Sequence, residues 1–344
     1  MISEYSSTVL IFHGLKNIVY SIFVYFQLKG DTNIKQYLQR IDTTNKLDSN
    51  ILIGCSGWNY NDICDKGGWL NVFYPDTKTK KLRYYSQFFN TVEMDSTFYK
   101  EFYLGMTKGL FIGLTKATPD NFKFSVKVPE IITHEKRLDV DKNVIFDFLE
   151  FLDKISPLGN TNKLGTIVIQ LPPSFTIKEF AKTERFLDRL NVVVDENMKI
   201  GNQYSIEFRH PSWNTEGTFE MLRHYNIASV MTDSPTRENL DFLSDENNVV
   251  TKSHAIIRMH GRNDTKDHYW YNYLYSESEL IPWADKIKKI KERVNSVYIY
   301  FNNHYGGKAI VNALQFKELL NKNSLTENEL LVLEKANKFL KYKL

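Results

Sequence analysis

Cysteine is nearly absent: Cys55 and Cys64 are the only two in 344 residues, and neither sits in a CxxC spacing or a His/Cys cluster. A disulfide framework and a zinc knuckle are therefore not expected, and reduced thiols in a cytoplasmic protein are. Charge of one sign is also scarce. The excess of 44 Lys and Arg over 41 Asp and Glu leaves only +3, too little at this length to demand a polyanionic partner. GxGxxG, GxxxxGK[ST], HxH and HExxH do not occur, so the usual signatures of dinucleotide, P-loop and zincin sites are missing. Nor is there a clean hydrophobic run of the ~20 residues that cross a bilayer. The nearest, Thr8 to Leu28, is broken by His13, Lys16, Asn17 and Gln27. Met1 to Ser7 carries Glu4 and no Lys or Arg, which argues against a signal peptide. Residues 1–50 therefore read as an N-terminal extension, helical and packing by one apolar face. A peripheral anchor is the alternative, and a membrane partner is not expected.

From Ile51 onward one unit recurs: a short β-rich run, a polar exit and a helical stretch. The runs are ILIGCS (51–56), TVEMDS (91–96), FKFSVK (122–127), GTIVIQ (165–170), YSIEFR (204–209), ASVMTD (228–233), AIIRMH (255–260) and VYIYFN (297–302). Helix-compatible segments between them include Lys81–Phe89, Lys142–Ile155, Ile177–Leu190, Thr218–Tyr225, Glu277–Val294 and Gly306–Leu320. Eight such units predict an α/β protein with a (β/α)8 TIM-type barrel over 51–322. An open doubly wound sheet is the alternative, disfavoured by the missing glycine fingerprint. Residues 323–344 read as a C-terminal amphipathic helix packed on the barrel.

Alternation within each run separates residues facing the helices from residues facing the barrel interior. It places Glu93 and Asp95, Lys123, Ser125 and Lys127, Gln170, Glu207 and Arg209, Asp233, Arg258 and His260, and Tyr298, Tyr300 and Asn302 inward. Most lie at the C-terminal ends of their strands, where barrel enzymes assemble their sites. A buried unpaired ion costs several kcal/mol, so the acids Glu93, Asp95, Glu207 and Asp233 are expected to pair with Lys127, Arg209 and Arg258. Such a network could plug the barrel or await a ligand.

The segments GCSGWNY, FNTVEMDSTFY, FKFSVKVPEIITHEKRL, QLPPSF, IEFRHPSW, IRMHGR and YFNNHYGGKAIVNA, in this order, resemble the YecE-like proteins, a widespread family of unknown function. The resemblance spans about Ile51 to Leu320 and implies a TIM-type barrel but no activity. It marks as family-typical, among others, Ser56, Trp58, Glu93, Tyr99, Lys127, His134, Gln170, Glu207, Arg209, Trp213, Asp233, Arg258, His260, Arg262, Asn302 and Asn303. Asp95 stands where the family usually has Asn, and His304 where Asp is common.

The preferred reading is an enzyme that binds a small anionic or phosphate-bearing ligand at the C-terminal mouth. Glu207 is its candidate acid or base, with His260 and Glu93 as further catalytic candidates. Lys127, Arg209, Arg258 and Arg262 would supply cationic donors. Gln170, Asp233, Asn302, Asn303, Trp58, Tyr99 and Trp213 are further ligand-binding candidates, and Gly306 with Gly307 would let backbone N–H groups approach an oxyanion. The sequence requires no cofactor. A second reading is a divalent-metal hydrolase or nucleic-acid phosphodiesterase using Glu93, Glu207, Asp233, His134 and His260. A third is a non-catalytic binder of a ligand or nucleic acid through aromatics such as Trp270 and Tyr271.

Overall fold

The computed structural model describes residues 50–60, 67–197, 203–235, 250–264, 270–322 and 324–341. The N-terminal extension and Cys64 lie outside them. Eight strands form one parallel sheet: β1 Ile51–Cys55, β2 Thr91–Met94, β3 Lys123–Lys127, β4 Leu164–Gln170, β5 Tyr204–Glu207, β6 Ala228–Asp233, β7 His254–Met259 and β8 Ser296–Phe301. The order β1-β8-β7-β6-β5-β4-β3-β2 returns to its starting point, so the sheet is a nearly closed (β/α)8 barrel. Each strand begins within a residue of the position that the alternation predicts.

Around the sheet lie α1 Lys81–Tyr85, α2 Lys100–Gly105, α3 Lys108–Lys116, α4 Val144–Asn160, α5 Phe180–Asn197, α6 Glu216–His224, α7 Glu277–Ile290, α8 Lys308–Leu320 and α9 Glu327–Lys341. The apolar spacing of α4 shows why they dock. Phe148, Phe151, Leu152 and Ile155 recur at helical intervals and are fully buried. Starts are capped locally. Before α5, Thr176 and Glu179 form a capping box, and at α7 the Glu279 carboxylate accepts from the Ser276 N–H at 2.8 Å. Helix α9 continues the helical layer, with Ala336 and Leu340 buried against Val72 and Val311.

The closure is made differently from the other seams. β1 pairs with β8 through five residues, Ile51 opposite Val297 to Cys55 opposite Phe301. Toward β2 there is only the single bridge of Ser56 with Glu93. Side chains span the rest: the Tyr85 hydroxyl accepts from the Cys55 N–H at 2.7 Å and donates to the Thr91 carbonyl at 3.0 Å. The Asn90 side chain accepts from the Ile53 N–H at 3.3 Å. Gly54 is required here, because a Cβ would stand 2.0 Å from the Thr91 carbonyl oxygen.

Inside the barrel the side chains stack in layers. His254 Nε2 meets Ser205 and Thr166 hydroxyls near the strand starts. Above them Leu52, Val168, Val230, Ile256, Tyr298 and Tyr300 form an apolar plug. Val230 in that plug corrects the expectation for β6. In ASVMTD both faces are partly apolar, so alternation could not tell them apart; Val230 points inward and Asp233 outward.

Candidate functional site

The layer above the plug is ionic. Arg258, on β7 and 2% exposed, crosses the barrel to β2, where its Nε and Nη2 donate to both Glu93 oxygens at 2.8 and 2.6 Å. Its Nη1 donates to Gln170 Oε1 at 2.9 Å and to Glu207 Oε2. Arg209 at the end of β5 donates through Nε to Glu207 Oε1 at 2.8 Å and through Nη2 to Gln170 Oε1 at 3.2 Å. Glu93, Lys127, Gln170, Glu207, Arg209, Arg258 and His260 thus come together at the C-terminal end of the barrel.

The charge balance of this layer decides what its members can do. Burial pushes the Glu207 carboxyl up, but the Arg258 and Arg209 guanidiniums more than offset it and hold the group well below the usual carboxylate range. A carboxylate so firmly ionised is a poor general base near neutral pH, which removes the expected basis for Glu207 as acid or base. Arg258 has committed most of its donors to protein oxygens, and its charge is stabilised by Glu207 and Glu93 against the opposing effect of burial. It is therefore a strut and not a ligand donor.

Three groups in the same place have no such satisfaction. Lys127, 8% exposed, sets its Nζ 3.6 Å from the centre of the Phe98 ring, and among the described residues it has neither a hydrogen bond nor a carboxylate in ion-pair range. The expected pairing of Lys127 with an acid is thus absent. Burial, reinforced by Arg258 and Arg209, lowers its pKa to about 7. His260 Nδ1 accepts from the Asn302 amide at 2.9 Å, which leaves the ring proton on Nε2. That Nε2 is buried without a hydrogen-bond partner, 3.6 Å from Glu207 Oε1. Burial and the Arg258 charge lower the His260 pKa to about 4, so the ring is neutral at pH 7. Ser56, on the inner face just past β1, has a buried Oγ with no partner.

The rim is aromatic and titratable. Tyr99 is 54% exposed and meets the Phe98 ring edge-on, His134 meets the same Phe98 ring, and Trp270 lies under Arg209 with 5.5 Å from guanidinium to ring centre. Burial, with Lys127 and Arg209 adding to it, lowers the His134 pKa to about 4. Asp95 is raised, first by burial and then by Glu93. Phe98 escaped sequence reasoning because nothing in its strand period reaches the turn after β2. Ser56 was reachable, since it continues the inner set of Leu52 and Gly54.

Several expected ligand residues lie elsewhere. Asp233 is gripped from outside the barrel: Arg262 donates through Nε and Nη2 at 2.8 and 2.5 Å, Tyr275 at 2.9 Å and Trp283 at 2.7 Å. Arg262 also pairs with Glu279 and does not join Arg258. Asn303 is buried and donates to Tyr273 and Asn312. Gly306 and Gly307 adopt left-handed backbone, but their N–H groups already serve Gly67 and His304, and a Cβ on Gly307 would strike Val72 at 2.6 Å. The expected oxyanion turn is consequently a packed corner. Trp213 is sealed between Phe175, Phe180 and Phe208. Trp58 packs edge-on to Phe124. Of the polar motif after β8, only Asn302 reaches the cluster, through His260.

For metal binding the donor set fits poorly. Glu93 and Glu207 accept from guanidiniums and Asp233 faces away; among the described residues no group of three or more His, Cys, Asp or Glu is arranged to hold an ion. No helix among them is long and apolar enough to cross a membrane.

Comparison with known proteins agrees with this architecture. The chain is 27% identical over 291 residues to YunF of Bacillus subtilis, covering 78% of this chain and 94% of that protein. It is 26% identical over 202 residues to YecE of Escherichia coli K12, covering 53% and 68% respectively. The crystal structure of a DUF72 family protein from Thermotoga maritima superposes with a TM-score of 0.65 at 31% identity, covering 78% of this chain and 98% of that one. Residues 52–333 match the model of the protein family of unknown function DUF72, and the chain, a YecE-like (β/α)8 barrel, belongs to that family.

Proposed function

We propose that this protein is an enzyme that binds a small anionic substrate at the C-terminal mouth of the barrel. One observation carries the reading: His260 Nε2 and Ser56 Oγ are buried without hydrogen-bond partners, and beside them Lys127, 8% exposed, ends over the Phe98 ring with neither a hydrogen bond nor an ion pair among the described residues. Each unsatisfied buried polar group costs about 1–3 kcal/mol, which a fold tolerates where a ligand supplies the missing partner. The ligand's charge follows from the surroundings. Glu93 and Glu207 are matched by Arg258 and Arg209, so a protonated Lys127 is positive charge in excess, and Nη1 of Arg209 is a donor with no hydrogen bond among the described residues. Arg209, 18% exposed, is placed to hold an anionic group at the rim, while the neutral His260 donates from Nε2 to a substrate oxygen deeper in. A cytoplasmic setting suits a buried free thiol such as Cys55.

The test is a panel of phosphate esters and small carboxylates followed by thermal shift and calorimetry. Wild type should bind at least one member, and Arg209→Ala and His260→Ala, each shown to be folded, should each weaken it about tenfold or more. Binding that both variants retain in full sinks the reading.

A further inference from the structure

Lys127 is the one member of the cluster whose chemistry is not exhausted by binding. Buried lysines ordinarily find acceptors, as Lys163 does by donating to the Thr115 and Thr118 carbonyls at 2.7 and 2.8 Å. Lys127 instead ends over an aromatic face, with guanidiniums for neighbours and no carboxylate in ion-pair range among the described residues. Desolvation beside another cation is the setting in which an amine stays unprotonated and nucleophilic. An amine in that state is a weak anchor for an anion, and Arg209 is the better one. A division of labour follows, with Arg209 on the charged end of the substrate and Lys127 on its reacting carbon.

We propose that Lys127 is a covalent nucleophile that condenses with the carbonyl group of a small anionic aldehyde or ketone to form an iminium. The assignment rests on the anionic-substrate reading above and narrows it to carbonyl compounds. In the addition step the Nζ lone pair forms a C–N bond while the C=O π pair moves to oxygen, and a proton passes from nitrogen to that oxygen. In the second step the carbinolamine hydroxyl takes one further proton and leaves as water, while the nitrogen lone pair forms C=N. Nothing is oxidised or reduced. Asp95, on the turn after β2, is the acid this scheme assigns to that proton, its pKa raised first by burial and next by Glu93. His260 Nε2–H faces the same layer and can hold the oxygen during addition.

The experiment is borohydride trapping on the full chain. Protein is incubated with pyruvate, glyoxylate, glycolaldehyde phosphate or dihydroxyacetone phosphate, or with the neutral glycolaldehyde or dihydroxyacetone, reduced, digested and mapped by mass spectrometry, with thermal shifts recorded for the same compounds. Expected is one stable secondary-amine adduct per chain on the peptide containing Lys127, competed away by the non-carbonyl anion that binds best. Lys127→Met should lose it, and the wild-type peptide map decides the matter even if that variant folds poorly. Carbonyl anions that shift the melt yet leave Lys127 unlabelled, or label it no more than surface lysines, overturn the nucleophile and leave the anion reading standing. Labelling of Lys127 by neutral carbonyls only, with no anion shifting the melt, supports the nucleophile and overturns the anion reading. Neither binding nor labelling overturns both.

Discussion

Replacing Lys127 by methionine should make the protein more stable at neutral pH. Methionine keeps a flexible apolar stem in the same space and removes the charge. The remaining ions stay matched, because Glu93 and Glu207 still face Arg258 and Arg209. A fall in the Lys127 pKa from its ordinary 10.5 to about 7 corresponds to a folding penalty on the order of 5 kcal/mol once the amine is protonated in the folded state. The contact with the Phe98 ring returns about 1–2 kcal/mol of attraction that the variant forfeits, so the net gain is about 3 kcal/mol. For a chain of this size that is a rise of about 4–5 °C in Tm. The sign with pH is definite. Between about 7 and 10.5 the unfolded chain binds a proton that the folded chain does not, so wild-type stability climbs with pH through that window. The full penalty applies below the window and none above it. Melts of both proteins at pH 6, 8 and 10.5 should show the variant ahead at pH 6 and its lead gone at pH 10.5. A variant that melts below wild type at pH 6, or a difference that does not move with pH, would refute the reasoning by showing that the ammonium is paired.

Arg258→Ala should destabilise by about 3–5 kcal/mol, because it strands the buried Glu93 and Glu207 carboxylates without their common partner; a change in the midpoint of chemical denaturation below about 1 kcal/mol contradicts this. Tyr85→Phe removes only the hydroxyl that joins β1 to β2, and should cost about 1–3 kcal/mol with faster hydrogen exchange at the Cys55 amide. Unchanged exchange there means that the hydroxyl is dispensable.

The barrel was legible because a strand is a local statement. Short β-rich runs with polar exits recur eight times, and backbone pairing then leaves little freedom in their arrangement. The inner face was legible wherever one face was clearly polar: Lys127 within FKFSVK, Glu207 within YSIEFR and Arg258 within AIIRMH all point where alternation sends them. It failed at ASVMTD, because the middle of a barrel interior is as apolar as the helix layer outside. Residues beyond the strands carry no period at all. Asn303, Gly307 and Trp213 therefore gave no sign that they pack against Asn312, Val72 and Phe208. Partner choice was the deeper obstacle. Composition shows that acids and bases must meet, but only three-dimensional placement shows that Arg258 takes both Glu93 and Glu207 and leaves Lys127 alone.

The seam between β1 and β2 bears on the order in which the molecule is made. Among the described residues Ile51–Cys55 finds its ladder only on Val297–Phe301, so the barrel's first strand cannot be fully paired until its eighth has emerged from the ribosome. Throughout synthesis β1 is an apolar edge without a mate, the kind of segment most open to the wrong partner. Local structure offers it a temporary berth: Tyr85 and Asn90, nearby in sequence, can already meet the Cys55 and Ile53 amides. The phenol at the seam thus doubles as a placeholder, holding the first strand beside the second during the long wait for the eighth.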